Sequence, residues 1–270
     1  MKIKVIFTLF ILLTALYSCS EEYIFNKLEE SFFSRSPKED DLPETADLQI
    51  KLIDAIGYYE QVNIEIVGIK IILNDSIIDL PVDTGIYNIL EFVNGIDTVL
   101  TSDTVPVGTL SQIRLILGDN NSFITEGVKY DLKTPSAQKS GLKLNIHQEL
   151  MPNTAYSYVI DFDVKHSIVK TGNDKYILKP VIRVFSEALT GIIKGIIRPV
   201  EAEPLIYSVS NSDTISTYSD TLTGAFMLRG LRSGYYNVMF EPEDPYKDTT
   251  LTDVKVVSGE ITVLDTLIFN

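Results

Sequence analysis

From Tyr156 to Val164 every second residue is apolar: Tyr156, Tyr158, Ile160, Phe162 and Val164. Side chains on a strand point alternately to its two faces, so this spacing buries one face of a β-strand and does not suit a helix. The same period recurs along the chain. Leu48, Ile50 and Leu52 share a face, and Val62, Ile64 and Ile66 alternate with Asn63 and Glu65. Beyond Gly68, which is expected to mark a bulge, Ile69, Ile71 and Leu73 continue the pattern. Ile113, Leu115 and Leu117 form another set, as do Leu142, Leu144 and Ile146, and the run 177–185 closes the series. Turn formers separate the runs: Asn74-Asp75, Asn94-Gly95, Gly118-Asp119-Asn120-Asn121, Thr134-Pro135-Ser136 and Gly172-Asn173-Asp174. Short helical turns are expected within 88–93 or 164–169. Many short strands with regular turns predict an all-β chain, built as antiparallel sandwiches.

The charge narrows the partners. The formal net charge is −14, with 37 acidic and 23 basic residues, a balance that repels nucleic acid. The one cysteine, Cys19, cannot close an internal disulfide, and the two histidines, His147 and His166, leave little for imidazole-based metal or acid–base sites.

Cys19 sits where a targeting segment would end. Lys2 and Lys4 form a basic start, and the apolar run 5–16 is broken only by Thr8 and Thr14. That run is shorter than the roughly 20 residues of a spanning helix, and it reads as a signal peptide over 1–18. Leu16-Tyr17-Ser18-Cys19 resembles the lipobox of bacterial lipoproteins, in which the cysteine is acylated and becomes the first residue of the mature chain. Acyl chains contribute about 0.8 kcal/mol per buried methylene, enough together to hold a protein on a bilayer. Ser20, Glu21 and Glu22 resemble the acidic tag of surface-exported lipoproteins in Bacteroidetes-type bacteria. Residues 19–46 then read as a lipidated N-terminus and tether. Ile24, Phe25, Leu28 and Phe32 have helical spacing, and SPKEDDLPET is linker-like.

Two resemblances follow. The stretches LSQIRLILGDNNS, YDLKTPSAQKSGLKLNI and DFDVKHSIVKTGNDKYILKPVIRVF resemble the bacterial domain of unknown function 4382 over about 48–185. An early stretch, usually DAPxxY in that family, reads Asp54-Ala55-Ile56-Gly57-Tyr58-Tyr59 and lacks the proline. The resemblance implies a secreted or lipid-anchored β-domain, here 47–187, and no activity. The second half, 188–270, resembles carboxypeptidase regulatory-like, prealbumin-type sandwiches with a carbohydrate-binding-like fold. The match rests on Thr221, Gly224, Phe226, Leu228, Gly230, Leu231, Gly234, Tyr236 and Val238, with Thr223 where relatives often have Asp. Phe226 and Leu228 are expected on the core face, and Gly230 and Gly234 at tight turns. Val254, Val256 and a strand over 263–269 are expected to complete this sandwich.

Candidates for chemistry are few. Asp161 and Asp163 lie two apart, so they are expected to share an exposed sheet face. With Asp119, Asn120 and Asn121 they form the set from which oxygen ligands for Ca²⁺ would come, though EF-hand spacing is absent. The bland alternative is a solvated sheet face and an Asn-rich turn. Thr134, Ser136, Gln138 and Ser140 form a polar loop that either meets a glycan or satisfies its own backbone. A hydrolase would need Ser136 or Ser140 beside a histidine and an acid, and no nucleophile elbow accompanies them. Without tryptophan, the rings left to stack on a sugar are Tyr207, Tyr218, Tyr235 and Tyr246, against which stands ordinary core packing. The expectation is a non-catalytic, surface-anchored lipoprotein of the outer membrane, serving as a binding, adhesion or assembly module. Its partners would be the bilayer, through Cys19, and a surface protein or glycan. The alternative is a carbohydrate-binding accessory lipoprotein, and a hydrolase comes third. No cofactor is expected beyond the Ca²⁺ candidate.

Overall fold

The computed structural model describes residues 44–270, apart from 55–58, 94, 135–140, 173–174 and 211–212. The expectations for Cys19, Ser20, Glu21 and Glu22, for the 19–46 tether up to residue 43, and for Ser136, Gln138 and Ser140 lie outside the described residues.

The apolar alternation becomes strands. The first half carries β1 (Thr45–Asp54), β2 (Gln61–Leu73), β3 (Ser76–Leu80), β4 (Gly85–Asn88), β5 (Thr98–Pro106), β6 (Gly108–Leu117) and β7 (Asn121–Thr125). It continues with β8 (Val128–Lys133), β9 (Leu142–Leu150), β10 (Ala155–Phe162), β11 (Ile168–Thr171), β12 (Lys175–Leu178) and β13 (Ile182–Ser186). The second half carries β14 (Gly191–Arg198), β15 (Leu205–Ser210), β16 (Asp213–Tyr218) and β17 (Ala225–Leu231). It ends with β18 (Gly234–Glu241), β19 (Thr249–Val256), β20 (Ile261–Val263) and β21 (Leu267–Ile268). Helical turns occur over Ile89–Glu91, over Val200–Ala202 and in α1 (Val164–Ser167).

One sheet of the first half runs β13-β10-β1-β5, and a larger one runs β11-β12-β8-β7-β2-β6-β9, with β3 and β4 also on β2. They enclose a core that includes Leu48, Ile50, Ile64, Ile71, Phe123, Ile160 and Phe162. Complete burial of each such side chain contributes roughly 1.5–3 kcal/mol. The second half forms β17-β14-β20, joined by β21, and β16-β15-β18-β19, around Ile193, Ile206, Phe226, Leu228, Val238 and Phe240. Most ladders are antiparallel, but β1 pairs with β10 in parallel. Together Thr45–Asn270 make one compact unit.

Turn chemistry acts where the sequence places it. Asn74 and Asp75 both have positive φ, 49° and 60°, and join β2 to β3 as a two-residue hairpin. Such hairpins need left-handed central residues, which asparagine and aspartate tolerate. The bulge expected at Gly68 is present: Ile66 pairs with Leu117 and Gly68 with Ile116, which leaves Val67 over, 44% exposed.

Five expectations are corrected. The run 177–185 is two strands on different sheets, β12 and β13, because Pro180 cannot donate to a ladder. The run 263–269 is also broken, into β20 and β21, and Val263 is 66% exposed. Gly230 makes no tight turn: it sits inside β17 at φ +81°, where the register against β14 shifts. Gly234 opens β18 and is not among the positive-φ glycines. Asp161 is buried, at 7% exposure, because the outer face of β10 is covered rather than solvated. Strands β16 and β17 stand over that face, where Asp161 and Arg183 share a small cavity lining with Ser216, Thr217, Met227 and Arg229.

Candidate functional site

A cleft of about 770 Å³ lies where the two halves meet. Its floor is β13 with the residue before it, 181–186. One wall is β9, residues 145–148; the other is β16, residues 214–216, together with Gly230 and Arg232.

Local sequence shapes each wall. Within β9, His147 takes a left-handed φ of 65°, and the register against β6 slips between Leu110 and Gln112. This bulge turns His147 outward, exposed at the cleft. Within β13, Ile182 and Val184 pack half-buried against the first core, while Arg183 and Phe185 face the second half. Asp161 and Arg183 are direct cross-strand partners, with Arg183 Nε and Nη2 donating to Asp161 Oδ2 at 2.7 and 2.5 Å. The guanidinium also donates to the Arg229 carbonyl at 2.8 Å and lies 5.2 Å from the Phe185 ring centroid. Arg232, at the opposite wall, is exposed and makes no ion pair among the described residues. The Tyr158 hydroxyl is buried with no hydrogen-bond partner among the described residues. Burial, with Tyr156 beside it, pushes the Tyr158 pKa up to about 12, so the phenol stays protonated.

The residues singled out from sequence are distributed as follows. Asn120 donates its backbone N–H and side-chain amide to the two Glu65 carboxylate oxygens, each at 2.9 Å. These bonds hold the Glu65 pKa below its ordinary value. Asn121 accepts the Glu65 N–H at 2.8 Å and donates to the Gly118 carbonyl at 2.8 Å. The Asp119-Asn120-Asn121 turn therefore closes over Glu65 in the larger sheet, whereas Asp161 belongs to the other sheet and is held by Arg183. Asp163 caps α1, accepting the His166 N–H at 3.1 Å and meeting His166 Nδ1 at 2.7 Å. The fold does not bring the five together, and among the described residues no group of three His, Cys, Asp or Glu side chains is placed to hold a metal.

Of the four tyrosines, Tyr218 is buried, with Lys165 donating to its hydroxyl and lying 4.5 Å from its ring centroid. Tyr246 packs edge-on against Phe269. Tyr207 donates to Glu241 Oε1 at 2.5 Å, which raises its pKa. Tyr235 alone of the four has an open ring, 71% exposed. Among the described residues no serine hydroxyl is hydrogen-bonded to a histidine. What the arrangement offers is backbone edges, a satisfied ion pair and an apolar seam. These are means of holding a ligand.

The pattern reading missed Ile182, Val184, Arg183 and Arg232 as site residues. Pro180 carries the signal for the first two, since it forces the chain to leave one sheet and start an edge strand in another.

The family profile described as Domain of unknown function (DUF4382) matches residues 45–180. None of the curated proteins matches the chain. Among solved structures, the Bacillus anthracis TIE protein is 10% identical, with a TM-score of 0.23, over 84% of this chain and 34% of that one. The chain thus spans about a third of that protein's length. The Streptococcal ancillary pilin is 13% identical, with a TM-score of 0.23, over 83% of this chain and 68% of that one. A fimbrial protein from Bacteroides ovatus is 12% identical, with a TM-score of 0.23, over 84% of this chain and 50% of that one.

Proposed function

The chain belongs to the DUF4382 family, and from that premise we propose that it is a non-catalytic binding or assembly module, lipid-anchored to the outer membrane and displayed at the cell surface. The observation that supports binding is the 770 Å³ cleft at the junction of the halves, whose Asp161–Arg183 ion pair is already satisfied. Anchoring rests on the lipobox-like Leu16-Tyr17-Ser18-Cys19 and the acidic Ser20-Glu21-Glu22 behind it. No helix among the described residues is long and apolar enough to cross a membrane. We read the chain as two sandwich domains divided near residue 188, the second of the carboxypeptidase regulatory-like type.

A carbohydrate-binding accessory lipoprotein is the second reading. The open ring of Tyr235 favours it, because an exposed aromatic face can stack on a sugar.

Three measurements test this. Acyl-chain labelling of the protein in cells is expected to vanish in Cys19→Ala, and label retained there refutes the anchor. Protease added to intact cells is expected to degrade the protein, whereas complete protection refutes surface display. Turnover on a panel of esters, peptides and glycosides would refute the non-catalytic reading.

A further inference from the structure

Each wall of the cleft is the last strand of its sheet: β13 ends one sheet of the first half, β9 ends the other, and β16 ends a sheet of the second half. Each meets the cleft with consecutive residues: 181–186, 145–148 and 214–216. Successive side chains point to opposite faces of a strand, so a cavity lying over a face touches alternate residues. A cavity that touches every residue lies along the edge. Three strand edges therefore open on one space.

Register identifies the backbone groups that meet it. The Asp163 N–H donates to the Val181 carbonyl at 2.9 Å, and the Glu187 N–H donates to the Ser157 carbonyl at 3.1 Å. Bonded and non-bonded pairs alternate along an antiparallel ladder. Residues 181, 183, 185 and 187 therefore bond β10, while Ile182, Val184 and Ser186 turn their N–H and C=O groups away from it. The Ser186 carbonyl is taken by the Leu189 N–H at 3.3 Å and the Thr190 hydroxyl at 2.7 Å. Ile182 and Val184 present theirs to the cleft. Alternating donors and acceptors along an edge are matched by the backbone of another strand, the ligand class that adds to sheets in this way. The five residues of β13 make an edge of about 17 Å.

We propose that the cleft takes an extended peptide strand from another polypeptide, which adds to β13 as the next strand of its sheet. The side chains fix its chemistry. On the inner face Ile146, Ile182 and Val184 line the mouth of the first core, so the incoming strand carries apolar residues at every second position. On the outer face it meets Thr214, Ser216 and the exposed Arg232, so its alternate residues are polar, with a carboxylate opposite Arg232. This deepens the binding-module reading and rests on it.

The probe is the peptide acetyl-Thr-Val-Glu-Val-Thr-Val-amide, set against acetyl-Val-Val-Val-Glu-Thr-Thr-amide of the same composition. Both are added to the full chain, with residue-resolved amide exchange as the readout. The alternating peptide is expected to bind at least about tenfold tighter than its scramble and to slow exchange at Ile182 and Val184 by about tenfold. Val184→Pro removes one edge N–H and leaves the β10 ladder intact, because that N–H points away from β10. It is expected to weaken binding by about tenfold or more. Should that variant fail to fold, Arg232→Glu, at an exposed position, is expected to weaken binding of the same peptide. Equal binding of the two peptides, or unchanged exchange at Ile182 and Val184, overturns the proposal. So does slowing of those amides by a neutral oligosaccharide where the peptide has no effect, although that result leaves the binding-module reading standing. Complete protection from protease on intact cells removes surface display and does not touch the peptide result.

Discussion

At Gly230 the backbone holds φ at +81°, and an added Cβ would lie 2.7 Å from Phe185 Cδ1 and 2.9 Å from Arg183 Nη1. Both facts come from one position: the bulge in β17 brings the second half against β13. A side chain at left-handed φ costs roughly 1–2 kcal/mol, and overpacking adds about 1–3 kcal/mol. Gly230→Ala is expected to destabilise the fold by about 2–4 kcal/mol in denaturant titration. A change within about 0.5 kcal/mol would show that the junction has more room than the contacts imply. The glycine is legible in the motif of the second half. Its reason is not, because nothing in Leu228-Arg229-Gly230 names Phe185 as the neighbour.

Hairpins set the element scale. Glu126 and Gly127 join β7 to β8 with φ of 51° and 69°, the same two-residue geometry as Asn74-Asp75. Glutamate is a poor residue for the first of these places, and asparagine is favoured there. Glu126→Asn is therefore expected to stabilise the protein by about 0.5–1 kcal/mol, seen as a higher Tm; a lower Tm would count against the turn assignment. The strands most legible in the residues are those with one buried face and one polar face, such as β6 and the outer part of β2. Strand β5 is not legible, because Thr98–Pro106 mixes threonine, serine and aspartate with single valines and a leucine. Strand β10 is legible as a strand and misleading as a surface. Its alternation implies an open face for Asp161, but Val159 is also fully buried on that side. Period two reports that faces differ and cannot tell a solvated face from one covered by a distant part of the chain. The cleft is illegible for the same reason, since its three walls come from segments far apart in sequence.

Over the whole molecule, a charge network spans the two halves. Arg229 of β17 reaches Glu187 at 3.1 Å and Asp97 at 3.4 Å, and Lys51 of β1 reaches Glu187 at 3.0 Å. Burial by itself would raise the Glu187 pKa. The Ser157 hydroxyl at 2.5 Å, the Lys51 hydrogen bond and the charges of Lys51 and Arg229 outweigh it, and the net shift is downward. A carboxylate with a depressed folded pKa stabilises the fold above its unfolded pKa, about 4.3, and loses that contribution as pH falls through the folded value. Glu187→Gln is expected to lower Tm at pH 7, with the gap to the parent protein closing as pH drops below about 4. A gap that stays constant with pH would mean that Glu187 acts through packing rather than charge.

The placement of β1 bears on mechanical load. It starts at Thr45, the first residue of the compact unit, and is gripped on one side by β10 and on the other by β5. Tension entering at Thr45 along the strand axis meets both ladders in shear, over residues 47–54 against β10 and 45–52 against β5, so their bonds bear it together instead of opening one after another. A chain built in this way is suited to being pulled from that end.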